Sequence, residues 1–176
     1  MKRIISLALV SALFPMLSNA QSPQFDNSPV KSFDLSRYLG TWYEIARFDH
    51  SFERGMENVT AEYSLKDDGT VKVLNSGLKK GKPKVAEGKA RQPDPKGNPA
   101  HLEVSFFLFF YSDYNILMLD DLYHVALVGT SSPDYLWILS RTPEISDIVK
   151  KALLDEATRR GYDITRLIWV DQSKNI

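Results

Sequence analysis

Cysteine is absent from all 176 residues. Its absence excludes structural disulfides, thiol nucleophiles, iron–sulfur clusters and a lipid carried on an N-terminal cysteine. Net charge is missing too: 22 basic residues balance 22 acidic ones, so nothing in the bulk electrostatics draws the chain toward nucleic acid. Histidine is scarce. His50, His101 and His124 are scattered without metal-ligand spacing, and no thiolate can complete a site. Neither a glycine-rich nucleotide loop nor a nucleophile elbow is found. No metal, cofactor or catalytic residue is therefore expected, and a binding protein is the first reading.

Long apolar runs are also rare. The longest, Ile4 to Leu17, is interrupted by Pro15 and is short for a bilayer span. With Lys2-Arg3 before it and Ser18-Asn19-Ala20 after it, it reads as an export leader cleaved after Ala20. Residues 1–20 are thus expected to be a signal peptide, 21–32 a polar N-terminal arm, and 33–176 one domain, long enough for a real core and too short for two. Loss of Lys2 and Arg3 leaves 20 basic residues against 22 acidic ones, a mildly acidic domain.

What is present is strand pattern. Trp42, Glu44, Ala46 and Phe48 alternate with Tyr43, Ile45 and Arg47; Val59, Ala61, Tyr63 and Leu65 alternate with Thr60, Glu62 and Ser64. Asp68-Gly69 then turns the chain into Val71, Val73 and Asn75, a hairpin signal. Further strands are expected at 84–91, 100–107, 114–119, 123–129 and 134–141, eight in all with short connections. One helix follows, with Thr142 as its cap, Pro143 at its first position and Gly161 past its end. Ile145, Ile148, Val149, Ala152, Leu153 and Ala157 recur in it at helical spacing. A short last strand is expected at Leu167–Val170. Eight consecutive antiparallel strands leave no exposed edge only when they close. The expected fold class is all-β: an eight-stranded up-and-down β-barrel with one C-terminal α-helix packed outside and a short final strand.

Gly40-Thr41-Trp42, preceded by Phe33-Asp34-Leu35-Ser36-Arg37-Tyr38, and Leu139-Ser140-Arg141-Thr142-Pro143 resemble the first and third signatures of the lipocalins. The longer stretches 37–55 and 134–147 resemble the bacterial group of that family, related to apolipoprotein D, and the likeness runs from Phe33 to Val170. The second signature is degenerate here, as Asp120-Asp121-Leu122. Bacterial relatives often carry a lipobox cysteine that tethers them to the outer membrane. Its absence points to a soluble, exported form, periplasmic or secreted.

In that family the signature tryptophan and arginine pack together at the closed end, which makes Gly40, Trp42 and Arg141 structural. With Trp42 inward, the period of two sends Glu44, Ala46 and Phe48 inward as well, and Arg47 outward. The resemblance extends the lining to Val59, Ala61, Tyr63, Val73, Asn75, Ala86, Gly88, Ala90, Leu102, Val104, Phe106, Asn115, Leu117, Tyr135 and Trp137. Alanine and glycine among these leave volume that a solid core would fill, and the aromatic members make the wall apolar, the usual form of a small-molecule pocket. A buried Glu44 needs a partner: Tyr63, Asn75, a trapped water, or the polar group of a ligand.

Lys79, Lys80, Lys82 and Lys84 form a cationic collar at the open end, with Tyr111 and Tyr114 beside them on the rim. Phe107-Leu108-Phe109-Phe110 cannot all face inward at a period of two, and an exposed apolar patch marks contact with lipid or protein. Collar and lip together suit an amphiphile, and the bacterial group implies a fatty acid or lysophospholipid as the partner, carried without catalysis in support of the cell envelope. Contact with a membrane surface and a monomer or weak homodimer complete the expectations. The alternatives are a scavenger of a haem, pigment or aromatic metabolite, and an interaction module acting through the aromatic lip.

Overall fold

The computed structural model describes residues 25–175, so the expected leader lies outside the described residues. Eight strands follow one another in antiparallel pairs. They are β1 (Gly40–Arg47), β2 (Met56–Leu65), β3 (Val71–Lys79), β4 (Lys82–Arg91), β5 (His101–Phe107), β6 (Phe110–Leu119), β7 (Val125–Gly129) and β8 (Leu136–Ser140). β1 pairs with β8 on one side and with β2 on the other, which closes the barrel. A one-turn helix, α1 (Leu35–Tyr38), capped by the Asp34 carboxylate, carries the chain across the closed end. The 25–32 segment is tied to the wall: Val30 N–H donates to Ile116 O, and the Arg160 guanidinium donates to Ser28 O.

Two apolar clusters separate the inside of the barrel from the outside. Tyr38, Trp42, Ala61, Tyr63, Val71, Val73, Leu102, Ile116, Val128 and Leu139 pack within it. Ile45, Ala46, Phe48, Leu117, Leu127, Leu136 and Ile138 pack outside it, against Leu153 and Ala157 of α2 (Asp147–Arg159) and against Tyr162. That helix starts later than its sequence suggests. Its cap is Ser146, whose side chain accepts from Val149 N–H, whereas the Thr142 hydroxyl donates to Glu144 O. Ile148, expected on the buried stripe, faces solvent.

Two β-bulges reset the strand parity, since one extra residue turns every later side chain to the other face. In β1 the register with β8 shifts between Glu44 and Ala46. Trp42 and Glu44 point inward, but Ala46 and Phe48 point outward beneath α2, and Arg47 points inward. In β6 the register with β7 shifts between Ile116 and Met118. Tyr114 and Ile116 are inside, while Leu117 lies outside among the residues under α2. Asn115 is also on the outer face, where its side chain meets His101 Nδ1 at 2.7 Å. The expected lining by Ala46, Phe48, Asn115 and Leu117 is thus corrected, and so is the outward placement of Arg47.

β1 and β2 pair only from Gly40–Tyr43 to Thr60–Tyr63. Beyond that they diverge, and β2 has its own register shift between Glu57 and Thr60, with Asn58 at φ +53°. The C-terminal segment fills the gap. β9 (Ile168–Trp169) pairs with Ala46 and Arg47, and Val170 N–H donates to Ile45 O. Gln172 Nε2 donates to Glu44 O at 2.8 Å and to Val59 O at 2.9 Å.

Candidate functional site

The connections β1–β2, β3–β4, β5–β6 and β7–β8 share the open end; α1 and the signature residues close the other. Trp42 is fully buried and its indole N–H donates to Tyr38 O. The Arg141 guanidinium lies 3.9 Å over the indole ring and donates to five carbonyls: Arg37, Tyr38, Leu39, Thr41 and Tyr123. Gly40 has φ +91°, a backbone conformation that glycine adopts without strain, and a Cβ there would only touch Arg141 Nη1, at 3.4 Å. Trp42 and Arg141 thus pack together at this end of the barrel.

Above that plug stands a layer of tyrosines. Tyr38 and Tyr63 hydroxyls lie 2.7 and 2.8 Å from the Tyr114 hydroxyl. Burial holds all three phenols above their ordinary pKa, so they remain donors. Tyr114 was expected on the rim, but its inward parity places it deep in the barrel.

Higher still is a buried ionic cluster. Arg47 is only 2% exposed and donates from Nη1 to Glu44 Oε1 at 2.6 Å and from Nη2 to Glu53 O at 2.8 Å. Glu53, from the β1–β2 connection, accepts from Trp137 Nε1 at 3.2 Å. Burial first, and the neighbouring Glu53 carboxylate second, push Glu44 up to about 8, against the lowering pull of Arg47. Burial raises Glu53 as well. Arg47 therefore ion-pairs with one of two neighbouring buried carboxyls, and near neutral pH the two carboxyls together retain a proton that keeps the cluster close to neutral. Among the described residues, Arg47 Nε and Asn75 Oδ1 are buried without a hydrogen-bond partner, a donor and an acceptor. Beside them His50 is sandwiched between Phe52 and Tyr135, with ring centres at 5.1 and 4.8 Å. Burial and then Arg47 lower its pKa to about 4.

The remaining wall follows the register. Ala61 opposes Asn75, Asn75 opposes Ala86, and Val73 opposes Gly88, so all five share the inner face with Tyr63, Leu102, Val104 and Trp137. Val59 is inside as well, since a Cβ on Gly77 would meet its side chain. The Phe106 ring lies on Gly88, where a Cβ would come within 2.7 Å of it. Exposure grades along these strands. Val71, Val73 and Ala90 are buried, Asn75 and Gly88 half-buried, and Ala86, Lys84 and Lys82 exposed, so the inner wall meets solvent toward the open end.

There Lys80 and Gly81, both with positive φ, make the two-residue turn between β3 and β4, and Lys79 stands opposite Lys82. Among the described residues, none of Lys79, Lys80, Lys82 and Lys84 pairs with a carboxylate. Tyr111 does not join them. It sits on the outer wall beneath the Arg91 guanidinium, 4.2 Å from its ring centre, because β6 presents it on the face opposite Tyr114.

Residues 33–172 match a family model described as a lipocalin-like domain. The chain is 50% identical over 167 residues to the outer membrane lipoprotein Blc of Escherichia coli K12, covering 94% of each chain. It is 34% identical over 181 residues to apolipoprotein D of Cavia porcellus, covering 95% of each. Among solved structures, insecticyanin of the tobacco hornworm Manduca sexta superposes with a TM-score of 0.72 at 24% identity, over 87% of this chain and 89% of that one. The expectation of a soluble exported form does not stand. It rested on one missing attachment chemistry, the lipobox cysteine, whereas relatives half identical over nearly the full length are outer membrane lipoproteins.

Proposed function

The chain belongs to the lipocalin family, and from that premise we propose that it carries one single-chain lipid, a fatty acid or a lysophospholipid, in the upper half of the barrel. One observation carries this reading. The inner face of β3 and β4 passes from buried valines through Asn75, Ala86 and Gly88, which are small or polar, to unpaired lysines at the mouth. An acyl tail of a dozen methylenes gains on the order of 10 kcal/mol on leaving water at about 0.8 kcal/mol per group. Lost ligand freedom and headgroup desolvation offset part of that. The lysines then select an anionic head rather than drive binding. The tail runs down toward Trp137 at the top of the ionic cluster, and the protein acts as a carrier rather than a catalyst, moving such lipids within the cell envelope.

The alternative of a planar aromatic ligand draws on His50, Tyr135 and Trp137. His50 and Trp137 each stack on Tyr135, at 4.8 and 6.1 Å, and His50 lies tilted against Trp137 at 4.9 Å, so these rings already occupy one another, which leaves the acyl chain as the better occupant. Native mass spectrometry of the purified protein tests the reading: bound masses of acyl lipids are expected, and a bound chromophore would overturn it. Ala86→Trp projects an indole into the exposed part of the wall. It is expected to weaken uptake of a fluorescent fatty acid about tenfold or more while the barrel still folds; unchanged uptake would place the ligand elsewhere.

A further inference from the structure

The hairpin between β5 and β6 is not used by the carrier reading. Its tip is Leu108 and Phe109, with Leu108 at φ +50°, and Phe107 pairs directly with Phe110. Exposure is 67% at Phe107, 63% at Leu108, 84% at Phe109 and 75% at Phe110. The Phe107 and Phe110 rings stack at 6.3 Å and 13°, and the Ser105 hydroxyl lies 3.5 Å from both Phe107 O and Leu108 O. A protruding run of four apolar side chains stands in water with no cover among the described residues, and such a patch marks a binding surface.

We propose that this hairpin inserts into the surface of an anionic phospholipid bilayer. Three features select that occupant. The protrusion is narrow and its strands are paired with each other, so insertion leaves few backbone polar groups without partners. Directly behind the tip come the groups suited to the headgroup layer. Lys89 Nζ lies 5.8 Å from the Phe109 ring centre and 5.4 Å from that of Tyr111, and Arg91 covers the other part of Tyr111; an aromatic with a polar edge beside cations sits at that depth. The charge is also one-sided. Arg91 is answered by Glu103, but Lys89 and the four lysines of the neighbouring β3–β4 hairpin have no carboxylate partner among the described residues. Both hairpins lie at the open end, so insertion turns the barrel mouth toward the lipid. The proposal rests on the hairpin alone and holds whether or not the barrel carries an acyl chain.

The test is co-sedimentation of the full chain with vesicles of phosphatidylethanolamine and phosphatidylglycerol, against phosphatidylcholine alone. The unaltered protein, Phe109→Asp and Lys89→Glu are compared, all sharing the same residues 1–24. Phe109→Asp is expected to weaken binding about tenfold or more on both surfaces. Lys89→Glu is expected to weaken it only on the anionic vesicles, and less at high salt. Uptake of a fluorescent fatty acid, read alongside, is expected to be unchanged in both variants, which separates failure of this proposal from failure of the carrier reading. Vesicle binding by Phe109→Asp equal to that of the unaltered protein overturns the proposal. So does a Phe109→Asp variant that binds vesicles normally but loses self-association in sedimentation velocity, which would make the tip a contact between copies of the chain.

Discussion

Arg47 shows how one side chain can organise an interior. Its guanidinium spans a carboxylate on its own strand, Glu53 O in the β1–β2 connection and Met56 O at the start of β2. It therefore holds a loop at the mouth as well as neutralising Glu44. Removing one partner of a buried pair leaves charge and carbonyls without compensation, which costs about 3–5 kcal/mol. Arg47→Ala is expected to destabilise the protein by that amount in urea unfolding. Glu44→Gln, which keeps a hydrogen-bonding group against Arg47, is expected to cost far less at neutral pH. Equal costs for the two would mean that the guanidinium acts through packing alone.

At the scale of elements, the barrel depends on a segment with hardly any secondary structure. β1 and β2 part company after four residue pairs, and the barrel would be open there without the chain from β9 onward. Gln172 is buried and satisfies one carbonyl on each side of the gap. Gln172→Ala strands both, at about 1–3 kcal/mol for each group left without a partner. The expected result is a lower urea midpoint with faster amide exchange at Val170, whose N–H donates to Ile45 O; unchanged stability would show that water takes over. The strands themselves were legible in the sequence because a period of two survives in each of them, and the closed end was legible because Gly40, Trp42 and Arg141 fix one another. The bulges at Ile45 and Leu117 were not. A bulge preserves the local alternation on either side of itself and changes only which face comes next, so Ala46 and Phe48 read as lining by parity, while Asn115 and Leu117 were placed there by the family resemblance. One clue was available: Glu44 and Arg47 stand three apart in a strand of otherwise apolar residues, a spacing that puts both inside only across a bulge. The Gln172 strap left no periodic trace at all.

For the whole molecule, the buried titratable groups set a pH profile that no surface pair can produce. Glu44 titrates at about 8 in the fold, above its ordinary 4.5, so the folded state keeps a proton that the unfolded chain gives up, and stability falls as pH rises through that window. His50 works in the opposite sense. Its folded value of about 4 lies below the ordinary 6.5, so the unfolded chain takes up a proton that the fold refuses, and stability falls as pH drops from 6.5 to 4. The two oppose each other between 4.5 and 6.5, and above 6.5 only the Glu44 effect of this pair remains. One proton is worth at most about 1.4 kcal/mol per pH unit, and for a chain of this size each kcal/mol moves Tm by about 2–4 °C. Thermal unfolding is therefore expected to show Tm level near pH 5–6.5 and declining by a few degrees toward pH 8. Glu44→Gln should remove the decline. Glu53→Gln should reduce it, because Glu53 is the second cause of the Glu44 shift. A wild-type Tm that holds level from 6.5 to 8, or an equal slope in Glu44→Gln, would show that Arg47 keeps both carboxylates ionised and that the ionic layer carries net negative charge beneath any bound lipid.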